Sequence, residues 1–212
     1  MRLIFFILMF VSIATVSYAQ SAAVELPKKD RSFFSNPEKR TPCIIGDDIN
    51  QDNFRVLRGN YIMLKHDNEK LNYLTAELRC FSKGDIVEYS IYFVLRSLYQ
   101  PTNMKKGDTI LLKTFDGDIT ETTLDYVSEK YDPFINSVTY TSTDQYWVTF
   151  SIVLDDAVIN TLLNGVSKIR LQVYQDIADF NLKKDNISQF ILDEYNQMEQ
   201  ALIKKRNFKE GF

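Results

Sequence analysis

The stretch LNYLTAELRCFSKGDIVEYSIYFVL, residues 71–95, decides the fold. Leu74, Ala76, Leu78 and Cys80 recur at every second position, with Thr75, Glu77 and Arg79 between them. After Lys83-Gly84-Asp85 the alternation restarts. Val87, Tyr89, Ile91, Phe93 and Leu95 then share one parity, opposite Glu88 and Ser90. Successive side chains of a strand point to opposite faces, so a period of two marks a strand with one buried and one wet face. Two such runs joined by a short Gly-bearing turn predict an antiparallel hairpin.

The same pattern extends outward. Tyr146, Val148, Phe150, Ile152 and Leu154 alternate with Trp147, Thr149 and Ser151 over 145–154. Ile169, Leu171 and Val173 alternate with Lys168, Arg170 and Gln172 over 167–174. Weaker alternation predicts strands over 54–65, 108–115, 118–125 and 134–141, and Asp116-Gly117 supplies a hairpin signal between the second and third of these. About eight half-polar strands with short turns predict a mainly β protein, an antiparallel β-sandwich.

Two helices interrupt the pattern. Residues 155–165 predict a short one, capped by Asp155 or Asp156 and closed by Gly165. From about 186 to 206, Ile187, Phe190, Ile191, Tyr195, Met198 and Leu202 form one apolar stripe, which predicts a long amphipathic C-terminal helix that must cover something. Asn186 and Gln189 resemble a capping box at its start.

The N-terminus reads as an address. MRLIFFILMFVSIATVSYAQ has a basic Arg2, an apolar run from Leu3 to Val11, and Ser17 and Ala19 at −3 and −1 of a cut before Gln20. The apolar core is too short to cross ~30 Å of hydrocarbon comfortably, so cleavage is expected to leave a chain that does not span the membrane. The expected organisation is a signal peptide at 1–19, an N-terminal arm at 20–53, a single β-rich domain with its C-terminal helix at 54–206, and a tail at 207–212. The arm is read as flexible at first and docked near Cys43-Ile44-Ile45. Export places the product in the periplasm, outside the cell or at its surface.

A resemblance appears in the segment Tyr146-Trp147-Val148-Thr149-Phe150-Ser151-Ile152, the short helix ending Leu162-Leu163-Asn164-Gly165, and Val166-Ser167-Lys168-Ile169-Arg170-Leu171. With the upstream Lys106-Gly107-Asp108-Thr109-Ile110-Leu111-Leu112-Lys113 and Asp116-Gly117, it resembles small exported Bacteroidetes proteins of unassigned function. The likeness covers roughly residues 84–175. It implies a β-rich periplasmic or surface protein and carries no catalytic residues across. Some of those relatives are lipoproteins, whereas no cysteine follows the expected cut here.

The residue inventory excludes more than it assigns. With 25 basic against 28 acidic residues, no nucleic-acid partner is expected. One histidine, His66, removes every site that needs two. It lies in His66-Asp67-Asn68-Glu69-Lys70, a loop pattern, and no Gly-x-Ser-x-Gly elbow accompanies it. Asp48-Ile49-Asn50-Gln51-Asp52-Asn53 begins like a calcium loop but puts Asn53 where the turn glycine belongs, so no metal site is expected. The absence of a Walker loop or Gly-x-Gly-x-x-Gly leaves no cofactor expected.

Two sets of residues carry positive expectations. Cys43 and Cys80, in an oxidising compartment, are candidates for a disulfide worth about 4 kcal/mol that would staple the arm to a strand. The alternative is two buried free thiols. Trp147 on the polar parity of its strand, with Tyr140 nearby, offers flat aromatic faces for a sugar or protein. The alternative is that this face packs under the C-terminal helix. The expected function is therefore a non-catalytic envelope protein binding a glycan or another protein. A hydrolase using scattered carboxylates and an assembly subunit using the N-terminal arm are the alternatives.

Overall fold

A computed structural model describes residues 42–49, 54–64, 71–98, 100–136, 141–174, 176–182 and 187–209. The strands are β1 (Ile44–Ile49), β2 (Arg55–Leu64), β3 (Leu71–Lys83), β4 (Ile86–Leu98), β5 (Thr109–Thr114), β6 (Ile119–Thr123), β7 (Tyr126–Tyr131), β8 (Phe134–Asn136), β9 (Thr141–Thr143), β10 (Gln145–Val153), β11 (Val166–Val173) and β12 (Asp176–Asn181). The helices are α1 (Asp156–Leu163) and α2 (Ile187–Lys209). A six-stranded sheet has the order β1-β2-β3-β4-β10-β7, a four-stranded sheet β12-β11-β5-β6, and β8 and β9 form a hairpin. Every pairing is antiparallel.

The alternation in residues 71–95 puts its apolar parity into the core as expected, but the opposite face is not wet throughout: Thr75, Arg79, Ser90 and Tyr92 are buried too, and Val87 at the start of β4 is exposed. Leu74, Ala76, Leu78 and Cys80 of β3 are fully buried, and so are Ile91, Phe93 and Leu95 of β4 opposite them. Val148, Phe150 and Ile152 of β10 continue the rows on the other side of β4. The Phe93 and Phe150 rings stack with centroids 5.1 Å apart. Ile110 and Leu112 of β5, Ile169 and Leu171 of β11 and Phe180 of β12 close the same core from the second sheet. The turn between β3 and β4 is two residues long, with Gly84 at φ +61° in its first position, the place where a primed hairpin turn needs glycine.

There are more strands than the alternation predicts. Of the four unforeseen strands, β1, β7 and β12 are sheet edges, and β9 pairs with β8, so the strand expected over 134–141 is replaced by a short hairpin, Phe134–Asn136 with Thr141–Thr143. An edge strand is half-solvated and carries charges that blunt it, which erases the apolar alternation. β7, YVSEKY, shows this directly.

The first helix follows its caps and the second its stripe. Asp155 Oδ1 accepts the Val158 N–H at 2.8 Å, and Gly165 takes φ +77° just past the end of α1. Ile187, Phe190, Ile191 and Met198 of α2 are buried in the common core. This helix lies against β1, β2 and β3 and against α1. The Tyr89 and Tyr195 rings meet edge-on at 4.8 Å, so α2 covers the face that also bears Leu57, Cys80 and Ile91. Asn186, in the capping pattern, lies outside the described residues.

The expected Cys43–Cys80 disulfide is not formed, and both cysteines are free. Cys43 precedes β1, Cys80 sits in β3, and β2 runs between them. The Cys43 carbonyl accepts from Asn60 N–H, while Cys80 stands opposite Leu57. Neighbouring strands are ~4.8 Å apart, so two strand spacings already exceed the ~7 Å Cα limit for a bridge. Burial pushes the Cys80 thiol up to about 11, with the Tyr89 hydrogen bond acting the other way.

Candidate binding surface

Trp147 lies on β10 with its side chain on the face opposite Val148 and Phe150. That is the face α2 does not cover, which decides between the two readings of its parity. Register places Arg96 of β4 on one side of it and Lys130 of β7 on the other. The Arg96 guanidinium carbon is 5.7 Å from the indole centroid, within cation–π range. Trp147 and Arg96 are half-buried and Lys130 is exposed.

A second aromatic row crosses the same face four residues along. Tyr92 of β4, Ser151 of β10 and Tyr126 of β7 are in register, and the Tyr92 and Tyr126 rings are 6.2 Å apart. Arg79 stacks on Tyr92 at 4.1 Å. Its Nε donates to Glu77 Oε1 at 2.9 Å, and Arg58 Nε reaches the same oxygen at 3.2 Å. Between the two rows lie Val94, Thr149 and Ser128, all smaller side chains. At ~3.4 Å per residue the rows stand about 14 Å apart.

The other face of the same strand end carries tyrosines that the sequence did not single out for binding. Tyr131 and Tyr146 are cross-strand partners with centroids 5.2 Å apart, and Tyr131 is 52% exposed. The Tyr131 hydroxyl donates to Asp144 Oδ1 at 2.9 Å, which raises its pKa. Tyr174 joins this end from the four-stranded sheet. Its backbone takes φ +63° and nearby Asn103 takes φ +61°, a conformation costing non-glycine residues about 1–2 kcal/mol. Hydrogen bonds hold it there. The Tyr174 N–H donates to the Thr102 carbonyl at 2.7 Å, and its hydroxyl meets Ser97 Oγ. Glu129 accepts from both Thr102 N–H, at 2.7 Å, and Thr102 Oγ1.

The carboxylates on the described surface are largely engaged in structural bonds. Asp47 holds Arg55, Glu77 holds two arginines, Asp179 holds Lys168 and Arg170, and Asp125 holds Lys106. Arg170 grips Asp179 with two bonds, at 2.6 and 2.8 Å, and lowers the Asp179 carboxyl to about 2. Glu194 is different. It is fully buried under α2, and burial pushes its carboxyl up to about 8 while the Asn60 N–H pulls the other way. A raised carboxyl suits a general acid, but this one faces the β2 backbone, with Oε1 2.6 Å from Asn60 N. Its visible role is to dock the helix. Among the described residues, no group of three or more His, Cys, Asp or Glu is placed to hold a metal.

No protein-family model, curated protein or solved structure matches this chain. The surface must be read from its own residues. Of the predicted binding pair, Trp147 is placed as described, while Tyr140 lies outside the described residues, as does His66. Cys43 and Cys80 flank the α2 dock and are not joined. The partners that matter around Trp147, Arg96 and Lys130, become visible only once the strand register is known.

Proposed function

We propose that the protein is an exported, non-catalytic envelope protein that binds a glycan through the face bearing Trp147. The observation that carries this reading is the cross-strand row Arg96–Trp147–Lys130, with the smaller Val94, Thr149 and Ser128 next along the strands. A sugar ring presents an apolar face to an aromatic side chain and hydroxyls to flanking polar groups. Export is supported by the leader pattern of residues 1–19, and the likeness to small Bacteroidetes envelope proteins fits the same location. The test is a glycan panel probed with the wild type and Trp147→Ala. Binding by the wild type that Trp147→Ala loses supports the reading, and a wild type that binds no glycan overturns it.

A second reading, an assembly subunit, is favoured by β1. This edge strand leaves Ile45 and Ile49 more than half exposed, at 52% and 54%. An exposed apolar edge can add a strand from a neighbour. A mass that rises with concentration supports this, and a strict monomer refutes it.

A further inference from the structure

Among the described residues, the two non-glycine positions with positive φ, Asn103 and Tyr174, both lie at one end of the strands. Strained backbone of this kind gathers at binding and catalytic sites, where the surroundings hold it in place. Beside it runs a row of tyrosines. The Tyr174 hydroxyl meets Ser97, Ser97 is the cross-strand neighbour of Tyr146, and Tyr146 is that of Tyr131. These rings stand on the parity that faces the core, yet Tyr131 is 52% exposed and Tyr146 only half-buried. Their centroids are 5.2 Å apart and their planes meet at 49°, so the two rings form a corner and not a flat stack.

The charge around this corner is negative. Asp144 Oδ1 accepts from the Tyr131 hydroxyl at 2.9 Å. Glu129 stands two residues before Tyr131 on the same face of β7, about 7 Å along the strand. Both carboxylates are exposed, and neither forms an ion pair with a described residue. The cations next to them by register, Lys130 and Arg96, stand on the opposite face with Trp147. A phenol that donates to a carboxylate is polarised, which makes its ring more attractive to a cation.

We infer that Tyr131 and Tyr146, with Asp144 and Glu129, form a binding site for a quaternary ammonium group. Such a cation has no N–H to donate, so it asks for aromatic faces and negative charge rather than free acceptors. That is what the corner offers, because each carboxylate already has one oxygen committed, Asp144 to Tyr131 and Glu129 to the Thr102 N–H and hydroxyl. A primary ammonium needs acceptors that converge on it and gains less here. The site is separate from the Trp147 face and does not depend on the glycan reading.

The experiment is ligand-observed NMR on the whole protein with three probes: choline, its uncharged carbon isostere dimethylbutanol, and ethanolamine. The expected result is saturable choline binding, about tenfold tighter than either other probe and weakened by salt. Tyr131→Leu should abolish that preference, and Asp144→Asn should lower the choline affinity several-fold. Both positions are exposed, and the circular dichroism of each variant should match the wild type. If Tyr131→Leu fails to fold, Asp144→Asn carries the test. Equal binding of choline and dimethylbutanol overturns the cation assignment. Ethanolamine bound as tightly as choline overturns the quaternary assignment. Choline binding undiminished in the folded variants overturns the site. A wild type that binds no choline overturns the whole inference and leaves the glycan reading untouched.

Discussion

The carboxyl group of Glu194 fills the space that a side chain at residue 59 would need. A β-carbon built on Gly59 would overlap Glu194 Oε2. Gly59 lies at the irregularity in the β2–β3 pairing, between Arg58 and Tyr61, and the next residue donates its N–H to the same carboxyl group. One glycine thus seats a helix carboxyl directly on a strand backbone.

Gly59→Ala is expected to destabilise the fold by roughly 2–3 kcal/mol, because the clash falls on a buried group wedged between helix and sheet. Gly84→Ala is the control. Nothing lies within 4 Å of its added carbon, and only the left-handed backbone resists it, at a cost of roughly 1 kcal/mol. Urea midpoints of the two variants check the order, and equal losses would contradict it.

The buried Glu194 makes stability depend on pH in a defined direction. Its carboxyl rises from an ordinary 4.5 to about 8 in the folded chain, so the folded state holds the proton more tightly. Its contribution is complete below 4.5 and is lost as pH climbs through about 8. The Tm should fall between pH 5 and 9 by the equivalent of about 3 kcal/mol. Glu194→Gln should flatten that fall, and a slope unchanged in the variant would assign it to other groups.

Reductant should leave the Tm unchanged, since Cys43 and Cys80 are free. In the native state an alkylating reagent should modify half-buried Cys43 well before fully buried Cys80, whose thiol burial raises to about 11. Mass spectrometry of alkylated peptides reads both. Equal labelling, or a reductant-sensitive Tm, would contradict the arrangement.

Phe150→Ala should cost about 3–5 kcal/mol, the penalty for a large cavity in a packed centre. Phe93 stacks on it, and both side chains are essentially fully buried. A double-mutant cycle with Phe93→Leu and Phe150→Leu should show coupling of about 1 kcal/mol. Additive losses would mean that the stack contributes nothing beyond its area.

Parts of this architecture could be read along the chain and parts could not. The central strands announced themselves because both neighbours bury one face, leaving Leu74 to Cys80 and Val87 to Leu95 in strict alternation. β7 and β12 did not, because an edge strand has solvent on one side and charge along its length. The C-terminal stripe was legible, yet Glu194 stands on that stripe, three residues after Ile191 and four after Phe190. A carboxyl on an apolar stripe was the signal that would have found the buried acid. The Arg96–Trp147 contact has no such signal, since it depends on which residue of β4 faces which residue of β10. The Cys43–Cys80 expectation failed for the same reason: compartment says whether thiols tend to pair, and register says whether they can reach.

The position of β10 between β4 and β7 also governs the order of assembly. β2, β3 and β4 are consecutive hairpins and can zip as the chain lengthens, whereas β10 must return across five intervening strands before it pairs with β4. It is a keystone that arrives late and closes two open edges at once. Until residue 145 has emerged, β4 and β7 both present bare ladders, and a nascent or truncated chain is at its most adhesive then.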